Sequence, residues 1–197
     1  MTSILKADEI QDSSGNLIIK EVSNAITIGA SGDTITIPSG ATITNSGTAT
    51  GFGGVNTPAF SAERDGAQTI SDATRTTILF NNEFYDSSSA YDTSTGKFTP
   101  QTAGKYFITA NVLLNALTDG NYKLGFIELY KNAAYVAESV QDDRSGNDAR
   151  QRTATISCVV DMNGSSDYVL IQGYISVASG SPKINDTSTF SAFRIIE

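Results

Sequence analysis

The chain has few of the residues from which catalytic and metal centres are usually built. Its 197 residues include no histidine, no tryptophan and a single cysteine, Cys158. Histidine is the commonest general base and metal ligand near neutral pH, and one thiol can form neither an intrachain disulfide nor a thiolate metal cluster. The composition therefore predicts a protein that is not an enzyme and that needs no cofactor.

Clustered positive charge and long apolar runs are also missing. The net charge is −8, and the basic residues form no patch of the kind that binds nucleic acid. No apolar run approaches the length of a membrane span, and the N-terminus turns acidic at Asp8 without the apolar segment of a signal peptide. We therefore expect no nucleic-acid partner, no membrane insertion, no signal peptide and synthesis in the cytoplasm.

Aromatic residues are almost absent from the first 57 residues. Of the nine Phe and eight Tyr residues, only Phe52 precedes residue 58, so the C-terminal region alone can build a bulky core. In that region apolar and polar residues alternate with a period of two, and no segment keeps a helical period. The pattern predicts an all-β fold in which three sets of residues each share one strand face: Tyr106, Ile108, Ala110, Val112 and Leu114; Ala154, Ile156, Cys158, Val160 and Met162; and Tyr168, Leu170 and Tyr174.

A series of fixed spacings begins at Phe80 and ends at Tyr106. Its positions, separated by five, four, six, five and one residues, are Phe80, Asp86, Tyr91, Phe98, Gly104 and Tyr106. The series resembles the signature of the complement C1q-like domain, a member of the C1q/tumour necrosis factor superfamily. The family continues with Phe and another aromatic residue where this chain has Ile108 and Ala110, so the end of the signature differs.

Three further segments resemble strands of the same family. Residues 59–62 resemble its opening strand, residues 127–132 its central strand and residues 190–193 its closing strand. The resemblance covers residues 58–197. It implies a jelly-roll β-sandwich that assembles as a homotrimer, and it names no ligand because one fold hosts many functions.

Two stretches of the C-terminal region are apolar on both faces of their predicted strands. These are residues 169–171 and residues 193–196. Such strands are expected to lie between the sandwich and a neighbouring subunit, which agrees with the trimer that the resemblance implies.

The N-terminal region opens with two predicted strands around a turn. Apolar segments within residues 4–19 flank Ser14, Gly15 and Asn16, a combination that favours a hairpin. This opening resembles the N-termini of structural proteins in tailed phages. We therefore interpret it as a segment that attaches the protein to a virion.

Short strands are then predicted at residues 26–28, 34–37 and 42–44, separated by Gly, Ser and Asp turns. Each strand has too few apolar side chains for a core within one chain, so three chains are expected to pool them around an axis, as in the shafts of viral fibres. A flexible Thr/Ser/Gly linker is the alternative interpretation. The predicted axis residues are Ile26, Ile28, Ile35, Ile37 and Ile43.

Four domains follow from these patterns. They are an attachment segment (1–25), a trimeric β shaft of triple-β-helix or β-prism type (26–50), a Gly-rich hinge (51–57) and the C1q-like head (58–197).

The longest polar stretch between strong strands is the first candidate for a binding loop. It spans residues 141–150, and residues 121–122 and 179–185 are further candidates. The candidate receptor-binding residues are Asp142, Asp143, Arg144, Asn147, Asp148 and Arg150. Asp142, Asp143 and Asp148 are also candidates for calcium, but Arg144 would oppose a cation and the spacing matches no EF-hand, so no metal site is assigned.

The sequence predicts a homotrimeric, non-enzymatic virion protein of a tailed phage, made in the host cytoplasm. In the leading interpretation it is a fibre or spike. Its head would bind a glycan or protein on the host surface, and its N-terminus would bind other virion proteins. Two alternatives stay open: a capsid decoration (cement) protein with a projecting knob, and a bacterial C1q-like binding module outside any virus.

Overall fold

The computed structural model describes residues 9–23, 25–44, 46, 56–144 and 149–195. The chain divides into two compact units, Met1–Thr50 and Gly51–Glu197, and each is described here by itself. The predicted hinge, residues 51–57, falls mostly outside the described residues.

The described part of the N-terminal unit forms one antiparallel sheet of three strands. Strand β1 (Glu9–Gln11) pairs with β2 (Leu17–Val22), and β2 pairs with β3 (Ala25–Ile28). The turn between β1 and β2 is held by Asp12, whose carboxylate accepts hydrogen bonds from the backbone N–H groups of Ser14 and Asn16, both at 2.8 Å. The predicted strand, turn and strand at this position are therefore confirmed.

The strands predicted at residues 34–37 and 42–44 were expected between three chains, so the single chain leaves them a prediction. Neither segment forms a strand, and Ile35, Ile37 and Ile43 are exposed. A strand needs a hydrogen-bonded neighbour, and the chain itself supplies none to these segments. Ile26 and Ile28, two of the predicted axis residues, lie in the same sheet as β1 and β2.

The described part of the C-terminal unit is all β and contains thirteen strands in two antiparallel sheets. The strands are β4 (Ala59–Glu63), β5 (Gln68–Thr69), β6 (Thr76–Thr77), β7 (Asn82–Asp86), β8 (Tyr91–Asp92), β9 (Lys97–Phe98), β10 (Ala103–Asn115), β11 (Tyr122–Lys131), β12 (Ala134–Asp142), β13 (Gln151–Asn163), β14 (Val169–Val177), β15 (Lys183–Ile184) and β16 (Thr189–Arg194).

The two sheets form a jelly-roll sandwich. In the first sheet the order is β13, β10, β16, β4 and β7, with β15 and β5 continuing beside the last residues of β10. In the second sheet the order is β12, β11, β14, β9 and β8, with β6 also on β14. Strands β10 and β13 pair over thirteen residues each, which makes them the longest pair in the described sandwich.

The antiparallel register defines two ends of the sandwich. At the near end, Ala103 pairs with Asn163 and Ala59 pairs with Phe193, so the head begins there. At the far end, Asn115 pairs with both Gln151 and Lys183. The loops that follow β10, β12 and β14 therefore meet at the far end.

The aromatic positions of the signature form the centre of the core. The rings of Phe60 and Tyr91 stack with centroids 4.5 Å apart, and Phe98 stacks on the same Phe60 ring at 4.6 Å. Phe80 and Tyr106 are completely buried. Pairs of this kind add to the free energy gained by burying the rings. The aromatic residues of the signature therefore specify the packing of the core.

The two small members of the signature set backbone geometry. Asp86 accepts hydrogen bonds from the backbone N–H groups of Ser88 (3.1 Å) and Tyr91 (2.7 Å), which shapes the turn between β7 and β8. Gly104 has φ of +143°, and a Cβ there would lie 2.8 Å from Nε of Arg194. A side chain at position 104 would therefore meet both backbone strain and a collision.

The predicted strand faces are confirmed. All five predicted residues of β10 are buried, as are four of the five on β13, while Cys158 is half-buried. Ile108 and Ala110, where the chain departs from the family signature, still point into the core. On β14 the core-facing residues are Val169, Ile171, Ile175 and Val177, so Leu170 and Tyr174 share the outer face.

The two stretches that are apolar on both faces behave differently. Leu170 is only 7% exposed in the single chain, so the chain itself covers the outer face of β14 at this point. The expectation that residues 169–171 need a neighbouring subunit is therefore wrong. Phe193 is 38% exposed and remains available to a partner. Residue 196 lies outside the described residues.

Within the described ranges, no helix has the length and apolar character needed to cross a membrane.

Candidate functional site

Asn121 ties the loops of the far end to one another. Its side-chain amide donates to the carbonyl oxygens of Ala116 (2.7 Å) and Ser179 (2.8 Å), and its Oδ1 accepts from the N–H of Ser179 at 2.9 Å. Its own carbonyl accepts from the N–H of Ala178. Asn121 is 7% exposed, so this predicted contact residue holds the loops instead of presenting itself to a ligand.

A second set of bonds fixes the loop that joins β15 to β16. Asn115 donates from Nδ2 to Oδ1 of Asn185 at 3.0 Å, and its Oδ1 accepts from the N–H of Leu117 at 2.7 Å. The Ser188 hydroxyl is fully buried, accepts from the N–H of Leu113 and donates to the carbonyl of Asn185. The candidate segments 121–122 and 179–185 therefore rest on one rigid base.

Asp142 and Arg144 form an exposed ion pair at the end of β12. The Arg144 guanidinium bonds both carboxylate oxygens of Asp142, and the N–H of Arg144 bonds Oδ1 at 3.0 Å. These hydrogen bonds lower the pKa of Asp142 to about 2. Both side chains stay accessible, at 43% and 67% exposed, so they can contact a partner.

Asp143 points the other way and is buried. It is 1% exposed, and its Oδ2 accepts from Arg152 at 3.1 Å. Its Oδ1 and the hydroxyl of Tyr122 are buried without a hydrogen-bond partner, and burial raises the pKa of Tyr122. Asp143 therefore bonds within the base of the loop. Its burial means that it cannot contact a receptor directly, contrary to the prediction from the sequence.

The other predicted residues of this loop divide into two groups. Arg150 is exposed, and its carbonyl accepts from the N–H of Ala116 at 2.9 Å, which links this loop to the one after β10. Asn147 and Asp148 lie outside the described residues.

The candidate calcium ligands Asp142 and Asp143 each face an arginine, an arrangement that opposes a cation. The described residues include no group of three His, Cys, Asp or Glu side chains arranged to hold a metal.

The far end therefore presents exposed polar side chains on a fixed base. Exposed polar rim residues from different loops include Thr118, Asp119, Arg144, Arg150, Ser179 and Asp186. A rigid base with a polar rim suits recognition of a surface, because loops supply contacts while strands keep them in place.

A cluster on the outer face of the second sheet contains none of the candidate site residues predicted from the sequence. Arg75 donates two hydrogen bonds, at 2.7 and 3.0 Å, to the carboxylate of Glu128, which is only 3% exposed. The guanidinium lies 5.1 Å from the ring centre of Phe126, and Phe126 stacks on Tyr174 at 4.4 Å. The alternation of β11 indicated an outward side chain at position 128, but no sequence signal connects it to Arg75, which precedes it by 53 residues.

The near end contains a cavity of about 250 Å³ beside the start of the head. Its lining is uncharged and is formed by Pro58, Ser88, Ser89, Thr99, Pro100, Gln101 and Thr102. The cavity is separate from the loops at the far end.

The two sheets and their strand order define a jelly-roll domain, and the comparisons identify its family. The C1q domain model matches residues 59–195, and the chain belongs to that family. C1q domains are non-enzymatic binding modules that self-associate as trimers.

Two solved structures share the fold. The globular domain of zebrafish complement 1qA protein is 17% identical with a TM-score of 0.54, covering 70% of this chain and 96% of that one. Eiger TNF from S. frugiperda is 10% identical with a TM-score of 0.51, covering 70% of this chain and 91% of that one. A search of curated proteins found no significant match.

Proposed function

We propose that the protein is a homotrimeric virion component of a tailed phage, a fibre or spike whose C1q head binds a glycan or protein on the host surface. The arrangement of the far end is the observation that carries this proposal. The three loop segments selected from the sequence meet at the end of the sandwich opposite the start of the head. A head attached through residue 58 would therefore turn these loops away from the particle.

An apolar patch on the outer face of the first sheet supports the homotrimer. Phe107 pairs across the sheet with Val159 on one side and Phe193 on the other, and the two Phe rings lie 5.4 Å apart. Val159 is 51% exposed and Phe193 is 38% exposed. Neighbouring apolar side chains on a β face favour a protein partner, and a second copy agrees with self-association in the family.

Binding of the purified chain to susceptible host cells tests the proposal. We expect the wild-type trimer to bind these cells and to compete with phage adsorption. Replacing Asp142, Arg144 and Arg150 together by Ala should weaken cell binding at least tenfold without changing the mass of the trimer. Glu138→Ala, which removes an exposed carboxylate on β12 of the second sheet, is the control and should bind like the wild type.

A capsid decoration protein is the second candidate, and the small size of the N-terminal unit favours it. Fifty residues make a short stalk, and the described part contains only one small sheet. Copy number in the virion separates the two functions, at tens or fewer for a fibre and hundreds for a decoration protein. No cell binding by the wild-type chain, together with loss of capsid stability after its removal, would contradict the receptor-binding function.

A further inference from the structure

One face of the N-terminal sheet carries a row of isoleucines. Ile10 on β1 pairs with Ile19 on β2, and Ile19 pairs with Ile28 on β3. Ile26 precedes Ile28 by two residues and therefore shares its face. Their exposed fractions are 37% for Ile10, 36% for Ile19, 70% for Ile26 and 56% for Ile28. These four residues are called the isoleucine face.

The opposite face is mixed: Ile18 and Val22 on β2 are 44% and 54% exposed, and the central row between them is polar. Glu9 pairs with Lys20, and Lys20 pairs with Thr27. Nζ of Lys20 lies 3.9 Å from a carboxylate oxygen of Glu9. This row suits contact with water, whereas the isoleucine row does not.

The described residues of the N-terminal unit leave this sheet without a packed cover. None of the side chains whose burial the structure describes between residues 9 and 44 is buried. A three-stranded sheet needs a packed hydrophobic face to be stable, because ordering the backbone costs more free energy than exposed strands recover. The described residues of the unit supply no such packed face, so contact with another copy of the chain would stabilise the sheet.

A second copy of the same chain is the occupant that the molecule itself provides. C1q domains self-associate as trimers, so three N-terminal sheets are attached to one trimeric head. Such attachment raises the effective concentration of one sheet for another to the order of millimolar. Each copy offers the same apolar row, and closed symmetry brings identical faces to a common axis.

We propose that the isoleucine faces of three chains pack against one another around the three-fold axis. This inference rests on the proposed trimer and extends it. Ile10 and Ile19 join Ile26 and Ile28 at the axis, and the contact uses the face of a formed sheet. It does not require strands at residues 34–37 and 42–44.

Neighbouring cysteine substitutions on β3 test the contact in the full chain. Ile28→Cys and Thr27→Cys place a thiol on opposite faces of one strand, each in a Cys158→Ser background. A disulfide needs Cβ atoms about 3.5–4.5 Å apart, so it reports close approach between chains. Under mild oxidation we expect Ile28→Cys to form interchain dimers on a non-reducing gel at least ten times faster than Thr27→Cys.

Hydrogen exchange provides a second measurement that needs no disulfide. Ile28→Asp should accelerate amide exchange in β1, β2 and β3 at least tenfold, because it places like charges together at the axis. Thr27→Asp should leave the exchange within a factor of two of the wild type. The mass of both variants should remain that of a trimer, because the head is unchanged.

The outcomes distinguish this inference from the trimer on which it rests. Equal cross-linking of the two cysteine variants in a chain that sediments as a trimer would overturn the isoleucine contact alone. An Ile28→Cys thiol that reacts freely with maleimide in the purified trimer but is protected in virions would overturn it too, because another virion protein would then cover the face. A monomeric wild-type chain would overturn the trimer and the contact together.

Discussion

At the residue scale, buried amides do more than charges to organise the far end. Asn121 and Asn115 are 7% and 6% exposed, and their hydrogen bonds join segments up to 70 residues apart in the chain. The sequence placed residue 121 in a candidate loop because Asn is common both in turns and in contacts. Its actual role depends on which loops meet, and no local pattern contains that information.

Asn121→Ala should destabilise the head by about 3 kcal/mol, because the three hydrogen bonds that its buried side chain makes are lost. Urea unfolding at one fixed trimer concentration measures the change. Asn111→Ala is the control: residue 111 is exposed, and its loss should cost no more than about 0.5 kcal/mol. Equal losses for the two variants would contradict the structural role of Asn121.

Asp167 should contribute to acid sensitivity. Hydrogen bonds from Lys131 and Asn132 lower its pKa from the ordinary 3.8 to about 2 in the folded chain. The folded state therefore binds the proton less readily than the unfolded state. The stabilisation is fully present above about pH 4 and is lost as the pH falls from about 4 to about 2.

Urea unfolding of Asp167→Asn between pH 7 and pH 2 measures this contribution. The variant should be less stable than the wild type at pH 7 and should lose less stability on acidification. Lys131→Met should also flatten the acid limb, because it removes the largest cause of the pKa shift. An acid limb identical to that of the wild type in both variants would exclude Asp167 as a source of the pH dependence.

At the element scale, period-two alternation predicted strands well where the chain supplies a neighbour. The faces of β10 and β13 were predicted residue by residue, because burial on one side of a paired strand requires alternation. The same pattern at residues 34–37 produced no strand, because alternation specifies a face but not a hydrogen-bonding partner. The difference lies in long-range pairing, which short patterns do not report.

Substitution of two glycines tests how closely the turns between strands pack against their neighbours. Gly164 and Gly180 have similar φ values, +74° and +85°. A Cβ at Gly164 would lie 2.2 Å from the backbone N of Ala103, whereas a Cβ at Gly180 would meet open space. Gly180→Ala should cost about 1–2 kcal/mol from backbone strain alone.

Gly164→Ala should cost at least about 2 kcal/mol more than Gly180→Ala, since the turn after β13 must move away from β10. Thermal unfolding of the two variants at equal concentration gives the comparison. If Gly164→Ala is no less stable than Gly180→Ala, the close approach at Ala103 does not exist in solution.

At the scale of the whole molecule, the family signature allowed the fold to be predicted because its residues are core residues. Phe80, Tyr91, Phe98 and Tyr106 pack together, so their spacing follows from the geometry of the sandwich. The candidate site was predicted in outline, since loop position follows from strand order. Its details were not: Asp143 turns inward to Arg152 while its neighbour Asp142 stays exposed, and only tertiary packing separates the two.

Aspartate substitutions on the outer faces of the two sheets test which sheet forms the subunit interface. Val159 on the first sheet is 51% exposed, and Val140 on the second sheet is 47% exposed. Val159 adjoins the Phe107 and Phe193 pair, which we expect at the subunit interface. Burying a carboxylate there without a partner is strongly unfavourable, so Val159→Asp should dissociate the trimer.

Sedimentation at micromolar concentration distinguishes the two variants. The wild type and Val140→Asp should have three times the 20.8 kDa of one chain, and Val159→Asp should have the mass of one chain. The reverse result would place the second sheet at the interface. It would also move the Arg75 and Glu128 cluster on that sheet from the surface of the head into the contact between subunits.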